Sequence, residues 1–281
     1  MSARQFAKWL VAAAFAVAAL QPRSIPAETT PPRIDHVFII IEENHSFRQI
    51  IGDDDAPYIN SLAAKAAVFT NAHAVTHPSQ PNYFALFSGL LATNGDGCPP
   101  RGIPPNAPNL GSEILAAHRS FAGFAETMPS VGFTGCSYGK YARKHAPWVQ
   151  FTNIPAADNR PFSALKSFDQ LPTIAMIIPN LDNDMHDGSI QQADRWLRAN
   201  IAPLLAWGQT HNTLFVLTWD EGGGFDPSNQ IPTIFYGPMV KPGNYPQRID
   251  HYAVLRTLED AFQLKPTGKA ASAAPITGWS R

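Results

Sequence analysis

Ser79 stands at the start of a segment whose sequence is typical of a helix N-terminus. Residues 76–83 read Thr-His-Pro-Ser-Gln-Pro-Asn-Tyr, and the apolar run Phe84–Phe87 follows them. Serine is a favoured N-cap residue, and Pro81 would lie in the first turn, where its missing N–H costs no hydrogen bond. The free N–H groups and the positive end of the helix dipole favour a bound phosphate. We interpret Ser79 as a helix cap that could also attack as a nucleophile.

Oxygen-bearing side chains follow two apolar runs, residues 34–41 and 213–218, that have the composition of buried strands. These side chains are Glu43, Asn44, Asp220 and Glu221. Carboxylate and amide oxygens suit a divalent cation such as Mg²⁺, Mn²⁺ or Ca²⁺. Three glycines, residues 222–224, would let the backbone approach a metal or a phosphate closely. We predict that these four side chains bind one divalent metal ion; whether activity strictly requires it stays open, and the alternative is that the acids cap helices.

Three histidines lie close to these segments. His186 belongs to residues 179–188, where three acids and two amides separate an apolar run from a long helical pattern. Because a histidine can protonate a leaving group, we predict His186 as the catalytic acid. Asp187, His77 and His251 are predicted to bind the substrate phosphate or its surroundings. The competing interpretation is that each of them only caps a helix or satisfies a turn.

A second serine lies in a motif of esterases. Residues 135–139, Gly-Cys-Ser-Tyr-Gly, match the G-x-S-x-G nucleophile elbow, and Asp220 and His251 follow in the order that such hydrolases use. An elbow joins a buried strand to a helix, whereas the apolar run before Ser137 is short. A carboxylester hydrolase that uses Ser137 is therefore the weaker alternative.

The pattern of apolar runs predicts an α/β fold. Strands are predicted at 34–41, 173–178, 213–218 and 231–236, and helices at 57–67, 82–90, 112–118, 189–207 and 251–262. Alternating strands and helices indicate a mostly parallel central sheet flanked by helices, with ligands bound beyond the carboxyl ends of the strands. Residues 95–172 are rich in proline, glycine and aromatic residues, and we predict that they form a loop-rich insertion at the rim of the pocket.

The N-terminus has the features of a signal peptide. Arg4 and Lys8 precede the apolar run Trp9–Leu20, and small residues end the segment near Ala27. We predict that residues 1–27 are removed, that residues 28–281 form a single domain, and that the protein is secreted or periplasmic. Twelve apolar residues are short for a bilayer, so no stable membrane anchor is expected after cleavage.

The composition of the mature chain excludes nucleic acid as a partner. Residues 1–27 contain three basic residues and no acidic one, so cleavage leaves 18 basic residues against 22 acidic ones, a net charge of −4. No basic patch is apparent in the sequence. Cys98 and Cys136 are the two cysteines of the chain, and in an exported protein they are predicted to form a disulfide.

Several motifs, taken in order, resemble those of one family. They are Glu43–Phe47, Thr76–Tyr83, Lys144–Pro147, Asn183–Gly188, Thr218–Gly224 and His251–Tyr252. Together they resemble the exported phosphoesterases that include bacterial acid phosphatases and phosphocholine-type phospholipases C, a branch of the alkaline-phosphatase superfamily. The similarity runs from about residue 34 to residue 264.

The resemblance implies a fold, a reaction and roles for residues. It implies an alkaline-phosphatase-like fold and hydrolysis of phosphate monoesters through a phosphoserine at Ser79, with Asn82 beside the phosphate. A phosphorylated small molecule or a phospholipid headgroup, phosphoinositides among them, is the implied substrate. The second metal site of alkaline phosphatases has no full equivalent, and His186, Asp187 and His251 are the expected replacements. A phospholipase C-type phosphodiesterase and a non-catalytic protein that binds phosphate or metal are the alternatives.

Overall fold

The structure, a computed structural model, describes residues 33–281 apart from residues 166 and 225. The predicted signal peptide therefore lies outside the described residues. Within this part of the chain, no helix is both long enough and apolar enough to span a membrane.

Twelve strands lie within the described residues. They are β1 (His36–Glu42), β2 (Ala67–Phe69), β3 (Ala72–His73), β4 (Phe121–Ala125), β5 (Ser137–Tyr138), β6 (Tyr141–Ala142), β7 (Asn159–Pro161), β8 (Ile174–Ile178), β9 (Thr213–Trp219), β10 (Thr233–Tyr236), β11 (Gly243–Tyr245) and β12 (Ile249–Asp250). Eight of them form the central sheet in the order β11-β2-β10-β9-β1-β8-β4-β7. Only β10 runs antiparallel to its neighbours in this sheet, so the predicted, mostly parallel α/β fold is confirmed.

Seven α-helices flank the sheet in the described part of the chain. They are α1 (Phe47–Ile50), α2 (Pro57–Ala63), α3 (Ser79–Ser88), α4 (Leu110–Ala116), α5 (Ile190–Asn200), α6 (Ala202–Gly208) and α7 (His251–Ala261). The helix predicted over 189–207 is two helices that meet at Ile201. Pro203 lies in the first turn of α6 and has no N–H to continue the hydrogen-bonding of α5, so the first helix ends before it.

The alignment of β1 with β9 brings the predicted metal ligands together. The two strands are parallel and in register up to Glu42, which lies opposite Trp219. The Asp220 N–H donates to the Glu42 carbonyl over 3.0 Å. Because both strands end at this level, Glu43 and Asp220 leave the sheet side by side at its carboxyl edge.

The segment 95–172 is only partly the loop-rich insertion that the sequence predicts. It supplies helix α4, which the sequence predicts at 112–118, and two strands of the central sheet, β4 and β7, for which the prediction is wrong. The β4 sequence, Phe-Ala-Gly-Phe-Ala, has no β-branched residue and therefore gives a weak strand signal. Its glycine, Gly123, is required because the Trp148 indole lies where a Cβ atom would be. The remainder consists of the β5–β6 hairpin, short 3₁₀ turns and loops.

The predicted disulfide is present in this segment. Cys98 and Cys136 are bonded, with their Cα atoms 5.9 Å apart. Cys98 follows helix α3 by ten residues, and Cys136 immediately precedes β5. The bond therefore joins the loop after α3 to the β5–β6 hairpin.

We predict that Glu259, on the buried face of α7, makes stability fall as pH rises. Its Oε1 accepts hydrogen bonds from Thr267 N–H and Oγ1, at 2.8 and 2.6 Å, whereas Oε2 has no partner among the described residues. Burial raises the pKa of Glu259 to about 7 from its usual 4.5. Between these values the folded chain binds more protons than the unfolded chain, so the free energy of unfolding decreases with pH.

In the Glu259→Gln variant this decrease should be smaller than in the wild type, by roughly 1–3 kcal/mol between about pH 5 and pH 8. Urea unfolding of both proteins across this range measures it. Parallel curves for the two proteins would show that Glu259 does not titrate in this window.

Candidate active site

Ser79 is the first residue of α3, and its hydroxyl faces two carboxylates. The N-cap residue is Pro78, one position before the predicted cap, and it is extended, with φ −81° and ψ −165°. The serine oxygen lies 3.2 Å from Glu43 Oε2 and 3.4 Å from Glu221 Oε1. Ser79 is 2% exposed. A hydroxyl in contact with two carboxylate acceptors can lose its proton to either of them.

Glu43 is held as a carboxylate by its neighbours. Tyr83 donates its hydroxyl to Glu43 Oε1 over 2.7 Å, His145 Nε2 lies 2.9 Å from the same oxygen, and Asn44 Nδ2 donates to Oε2 over 3.0 Å. Burial alone would oppose the charge of Glu43. The charge of His145 and the hydrogen bonds from His145 and Tyr83 outweigh it and lower the pKa of Glu43.

His145 is the positive partner in this cluster, and the sequence interpretation gave it no role. Its Nδ1 lies 3.2 Å from Asp184 Oδ2, and its ring stacks on Tyr83 with centroids 5.0 Å apart. Burial disfavours the imidazolium, but the charge of Glu43 and the close contacts with Asp184 and Glu43 raise the pKa of His145. The motif Lys144–Pro147 was the only signal for this residue. A charged, fully buried histidine thus braces the carboxylate beside Ser79.

Asp220 and Glu221 bring further negative charge to the same point. Asp220 Oδ1 accepts the Asn44 N–H over 3.0 Å, while the buried Oδ2 has no hydrogen-bond partner within the described residues. Burial, reinforced by the charges of Glu43 and Glu221, raises the pKa of Asp220 well above its usual range. Burial, followed by the charge of Glu43, raises the pKa of Glu221 to about 7. Three carboxylates therefore converge where water cannot screen them.

The four predicted metal ligands have the chemistry that a hard cation requires. In the described part of the chain, no group of three or more His, Cys, Asp or Glu side chains is arranged to hold a metal ion. Glu43, Asp220 and Glu221 therefore do not form such a group as they stand, and Asn44 turns its nitrogen to Glu43. The partnerless Asp220 oxygen and the repulsion among the carboxylates are what a bound cation would relieve. The residues present fit such an ion.

A chain of polar contacts connects the nucleophile helix to His186. Asp96 Oδ1 accepts the Gln80 N–H over 2.9 Å, and its Oδ2 lies 2.8 Å from Lys144 Nζ. Lys144 Nζ in turn lies 3.2 Å from His186 Nε2, and His186 Nδ1 lies 2.8 Å from Asp187 Oδ1. An ammonium group can only donate, so Nε2 accepts and the ring proton sits on Nδ1, towards Asp187. Lys144 and Asp96 were not among the predicted residues.

Asn82 differs from its predicted role beside the phosphate. Its Oδ1 accepts the N–H groups of Val75 and Thr76, and its Nδ2 donates to the carbonyls of Thr76 and Pro78. Both polar atoms therefore hold the turn before Ser79. The first turn of α3 is also less free than predicted, because Asp96 already takes the Gln80 N–H and Pro81 has none.

The two remaining predicted histidines occupy different environments. His251 is buried, its Nε2 lies 2.7 Å from the backbone carbonyl oxygen of Asp220, and burial lowers its pKa. The neutral His251 ring donates to this carbonyl and so fixes the backbone just after β9. Its Nε2 is therefore not free to bind a substrate. His77 is partly exposed, and its Nδ1 lies 2.8 Å from Glu221 Oε2. Only His77 of this pair reaches the carboxylate cluster.

Ser137 does not occupy a nucleophile elbow. It lies on β5, the first strand of a short antiparallel hairpin, and it is exposed. No helix follows it, since β6 and a 3₁₀ turn come next. The residue before it, Cys136, is bonded to Cys98. The expected Ser137, Asp220 and His251 triad is therefore contradicted, because His251 is committed to a backbone carbonyl.

Comparison with known proteins identifies the family. The model of the family described as "Phosphoesterase family" matches residues 53–265, which is most of the chain. The chain belongs to the phosphoesterase family. A relative named phosphatidylinositol-3-phosphatase, from Mycobacterium tuberculosis, is 51% identical over 255 residues, which are 89% of this chain and 84% of that protein.

A more distant relative also has a phosphatase name, and a solved structure has a similar fold. A probable acid phosphatase of Kluyveromyces lactis is 29% identical over 90% of this chain, which spans 64% of that protein. A solved protein of the alkaline phosphatase superfamily from Vibrio parahaemolyticus aligns over 88% of this chain and 72% of its own, with a TM-score of 0.60 and 10% identity. The predicted family, fold and enzyme class, a phosphoric monoester hydrolase, are thereby confirmed.

We predict that Tyr83→Phe lowers phosphatase activity by its effect on Glu43. The substitution removes the 2.7 Å hydrogen bond to Glu43 and leaves the ring that stacks on His145. We expect kcat/KM for p-nitrophenyl phosphate to fall about tenfold, which corresponds to about 1.4 kcal/mol.

Tyr141→Phe is the matched control for this prediction. Tyr141 is also buried, but its hydroxyl has no hydrogen-bond partner in the described structure, so its loss should leave the rate unchanged. An equal decrease in both variants would mean that the Tyr83 hydroxyl has no specific role.

Proposed function

We propose that this chain is an exported phosphatase that hydrolyses phosphate monoesters, phosphoinositides among them, through a phosphoserine at Ser79. One observation carries the proposal: a buried serine hydroxyl lies within 3.4 Å of two carboxylates at the carboxyl edge of the sheet. The mycobacterial relative named phosphatidylinositol-3-phosphatase supports a phosphoinositide as a substrate.

Glu221 is the stronger base of the two carboxylates that face Ser79. The contacts with His145 and Tyr83 keep Glu43 weakly basic, whereas burial gives Glu221 a pKa of about 7. Glu221 Oε1 is the acceptor within reach of the Ser79 proton as Oγ attacks phosphorus; the pKa of about 7 is that of the carboxylate without a cation, and a cation held by Glu221 would lower it. His77 Nδ1, at 2.8 Å from Oε2, orients this carboxylate. A new Oγ–P bond forms while the bond from phosphorus to the leaving oxygen breaks.

The pair Lys144 and His186 protonates the leaving alkoxide. The neutral ring carries its proton on Nδ1, so Lys144 first passes a proton to Nε2, and the resulting imidazolium donates it. Asp187 orients the histidine ring through Nδ1, and Lys144 directs a proton to Nε2. Water then attacks the phosphoserine, and a new bond from the water oxygen to phosphorus forms as the Oγ–P bond breaks. Glu221 returns its proton to Ser79, a proton of the attacking water restores the pair Lys144 and His186, and inorganic phosphate leaves. The net reaction converts one ester and one water into one alcohol and one phosphate. His186 is thus the catalytic acid, with Asp187 as its positioning residue.

The metal site comprises Glu43, Asn44, Asp220 and Glu221. A divalent cation bound there supplies charge neutralisation and polarises a phosphoryl oxygen. Asp220 contributes the buried oxygen that has no partner in the described structure. His251 and Asn82 act indirectly, because His251 fixes the Asp220 backbone and Asn82 fixes the turn before Ser79.

Residues 1–27 are the signal peptide and residues 28–281 the mature phosphoesterase domain. The basic residues, the apolar run and the small residues near Ala27 support this division. The N-terminal residue of the protein recovered outside the cytoplasm tests it; retention of Met1 on exported protein would contradict it.

The nearer alternative is a phospholipase C-type phosphodiesterase. A diester would need the same nucleophile and metal ligands, so Ser79 alone does not distinguish the two reactions. Hydrolysis of phosphatidylcholine at a rate above that of p-nitrophenyl phosphate would select the alternative. A carboxylester hydrolase finds no support in the position of Ser137.

Ser79→Ala should abolish phosphatase activity. With the nucleophile removed, kcat on p-nitrophenyl phosphate should fall at least about a thousandfold, while the fold is retained. Ser137→Ala is the control and should keep full activity. Trapping with ³²P-labelled substrate should label the wild type and not Ser79→Ala. Full turnover by Ser79→Ala would end the proposal, and loss in Ser137→Ala alone would favour the esterase.

Removal of divalent metal should abolish activity and lower the melting temperature. Without a cation the three carboxylates repel one another, so chelation should destabilise the wild type. In Asp220→Asn one of these charges is gone, so the shift of melting temperature on chelation should shrink. Glu42→Gln is the control, because Glu42 is equally buried but is not a predicted ligand. If chelators change neither the activity nor the melting temperature, the proposed metal site is wrong.

A further inference from the structure

The loops between β4 and β7 expose two large hydrophobic side chains. Val131 is 55% exposed and Tyr138 is 57% exposed, and these are the exposed large hydrophobics of the described residues. Single exposed apolar residues are common on protein surfaces, but two from one loop region indicate a contact surface. Neither residue has a role in the proposed reaction.

Phe133 lies between these two residues in the chain and contacts one of them. Its ring contacts Tyr138 at a centroid distance of 6.2 Å and lies two residues after Val131. The loop is held firmly, since Gly132 N–H donates to the Asn159 carbonyl over 2.8 Å and Asn159 Nδ2 donates to the Phe133 carbonyl over 2.7 Å. We name Val131, Phe133 and Tyr138 the rim patch. These hydrogen bonds fix the backbone of the loop that carries Val131 and Phe133.

The loop that carries the rim patch has no acidic residue of its own. Residues 127–157 contain no aspartate or glutamate, although the chain has 22 acidic residues, and they contain Lys140, Arg143 and Lys144. The two lysines contact carboxylates of other segments. Arg143 makes no salt bridge within the described residues and donates to the Thr134 carbonyl and to Gln150 Oε1, at 2.8 and 3.3 Å. Arg143 is therefore a positive charge of this loop that has no acidic partner within the described residues.

The rim patch adjoins the active site. Lys140, two residues after Tyr138, has its Nζ 3.1 Å from Asp187 Oδ2, and Asp187 orients His186. On the other side, Cys136 is bonded to Cys98, in the loop that carries Asp96. The rim patch is thus linked, through Lys140 and through the disulfide, to the segments that carry Asp187 and Asp96.

We infer that the rim patch docks on the surface of an anionic phospholipid bilayer and so presents the active site to a phosphate on a lipid headgroup. Aromatic and aliphatic side chains enter the interfacial region of a bilayer, and basic residues near them are attracted to anionic lipids. An acid-free loop with an unpaired arginine has the complementary charge. The inference rests on the proposed function, because it supplies the way in which a membrane-bound phosphoinositide reaches Ser79.

The test compares two variants that add the same charge. Val131→Asp/Tyr138→Asp places two carboxylates in the rim patch, and Ala199→Asp/Ala206→Asp places two at exposed positions on α5 and α6. Cosedimentation with phosphatidylcholine–phosphatidylserine vesicles measures binding and needs no turnover. We expect about a tenfold loss of bound protein for the first variant alone, and weaker binding of the wild type to vesicles of phosphatidylcholine only.

Turnover provides the second measurement. Hydrolysis of phosphatidylinositol 3-phosphate in the anionic vesicles should fall about tenfold in Val131→Asp/Tyr138→Asp, while hydrolysis of soluble p-nitrophenyl phosphate stays unchanged. Vesicle binding that survives this variant overturns the inference, as does an equal loss in the α5–α6 variant. Loss of soluble turnover would also overturn it, since the patch would then act on the site itself. A wild type without phosphatase activity that still binds vesicles through the patch would refute the proposed function and leave the docking surface standing.

A second copy of the chain is the competing occupant of the rim patch. Sedimentation velocity of the wild type without lipid distinguishes it. A dimer that dissociates in Val131→Asp/Tyr138→Asp would assign the patch to self-association and overturn the bilayer.

Discussion

The burial of three carboxylates around one serine is the constraint on which the rest of the structure depends. Desolvated negative charges repel one another and lose their hydration, so such a cluster persists only with compensation from every side. Within the described residues the compensation comes from the His145 imidazolium, the Tyr83 hydroxyl and the Asn44 backbone N–H. The contacts made by Asp184 and by His251 to the backbone of Asp220 extend this support outward. The buried charges at this edge of the sheet are therefore stabilised by the residues around them.

The central sheet brings the carboxylates together because the parallel strands β1 and β9 end at the same level. Side chains just beyond neighbouring parallel strands must be close in space, so two acidic strand ends predicted one site. The strands themselves were readable because β1, β8 and β9 are nearly continuous apolar runs, as strands buried on both faces are. Ser79 was readable for a different reason, since prolines and an apolar run mark a helix start. The fold class and the place of Ser79 at a helix start followed from local patterns.

The supporting residues could not be predicted in the same way. His145, Lys144 and Asp96 lie in a segment without regular periodicity, and each acts on a residue more than 15 positions away in the chain. Tyr83 lies within an apolar helix, where its hydroxyl gives no sign that it faces a carboxylate. β4 was not predicted because its central glycine weakens the strand pattern. That glycine is required by a tertiary contact with the Trp148 indole, which local propensity does not show. What escaped prediction was the set of long-range partners.

The disulfide has a consequence for the assembly of the cationic side of the pocket. Asp96 lies two residues before Cys98, and Lys144 lies eight residues after Cys136, so the bond ties together the two loops that form their ion pair. A tether of this kind raises the effective concentration of one partner around the other. Lys144 is thereby kept near Asp96, and through it near the start of α3, even while the intervening chain fluctuates. The disulfide thus keeps the two loops close together, and the non-covalent contacts determine the geometry of the ion pair.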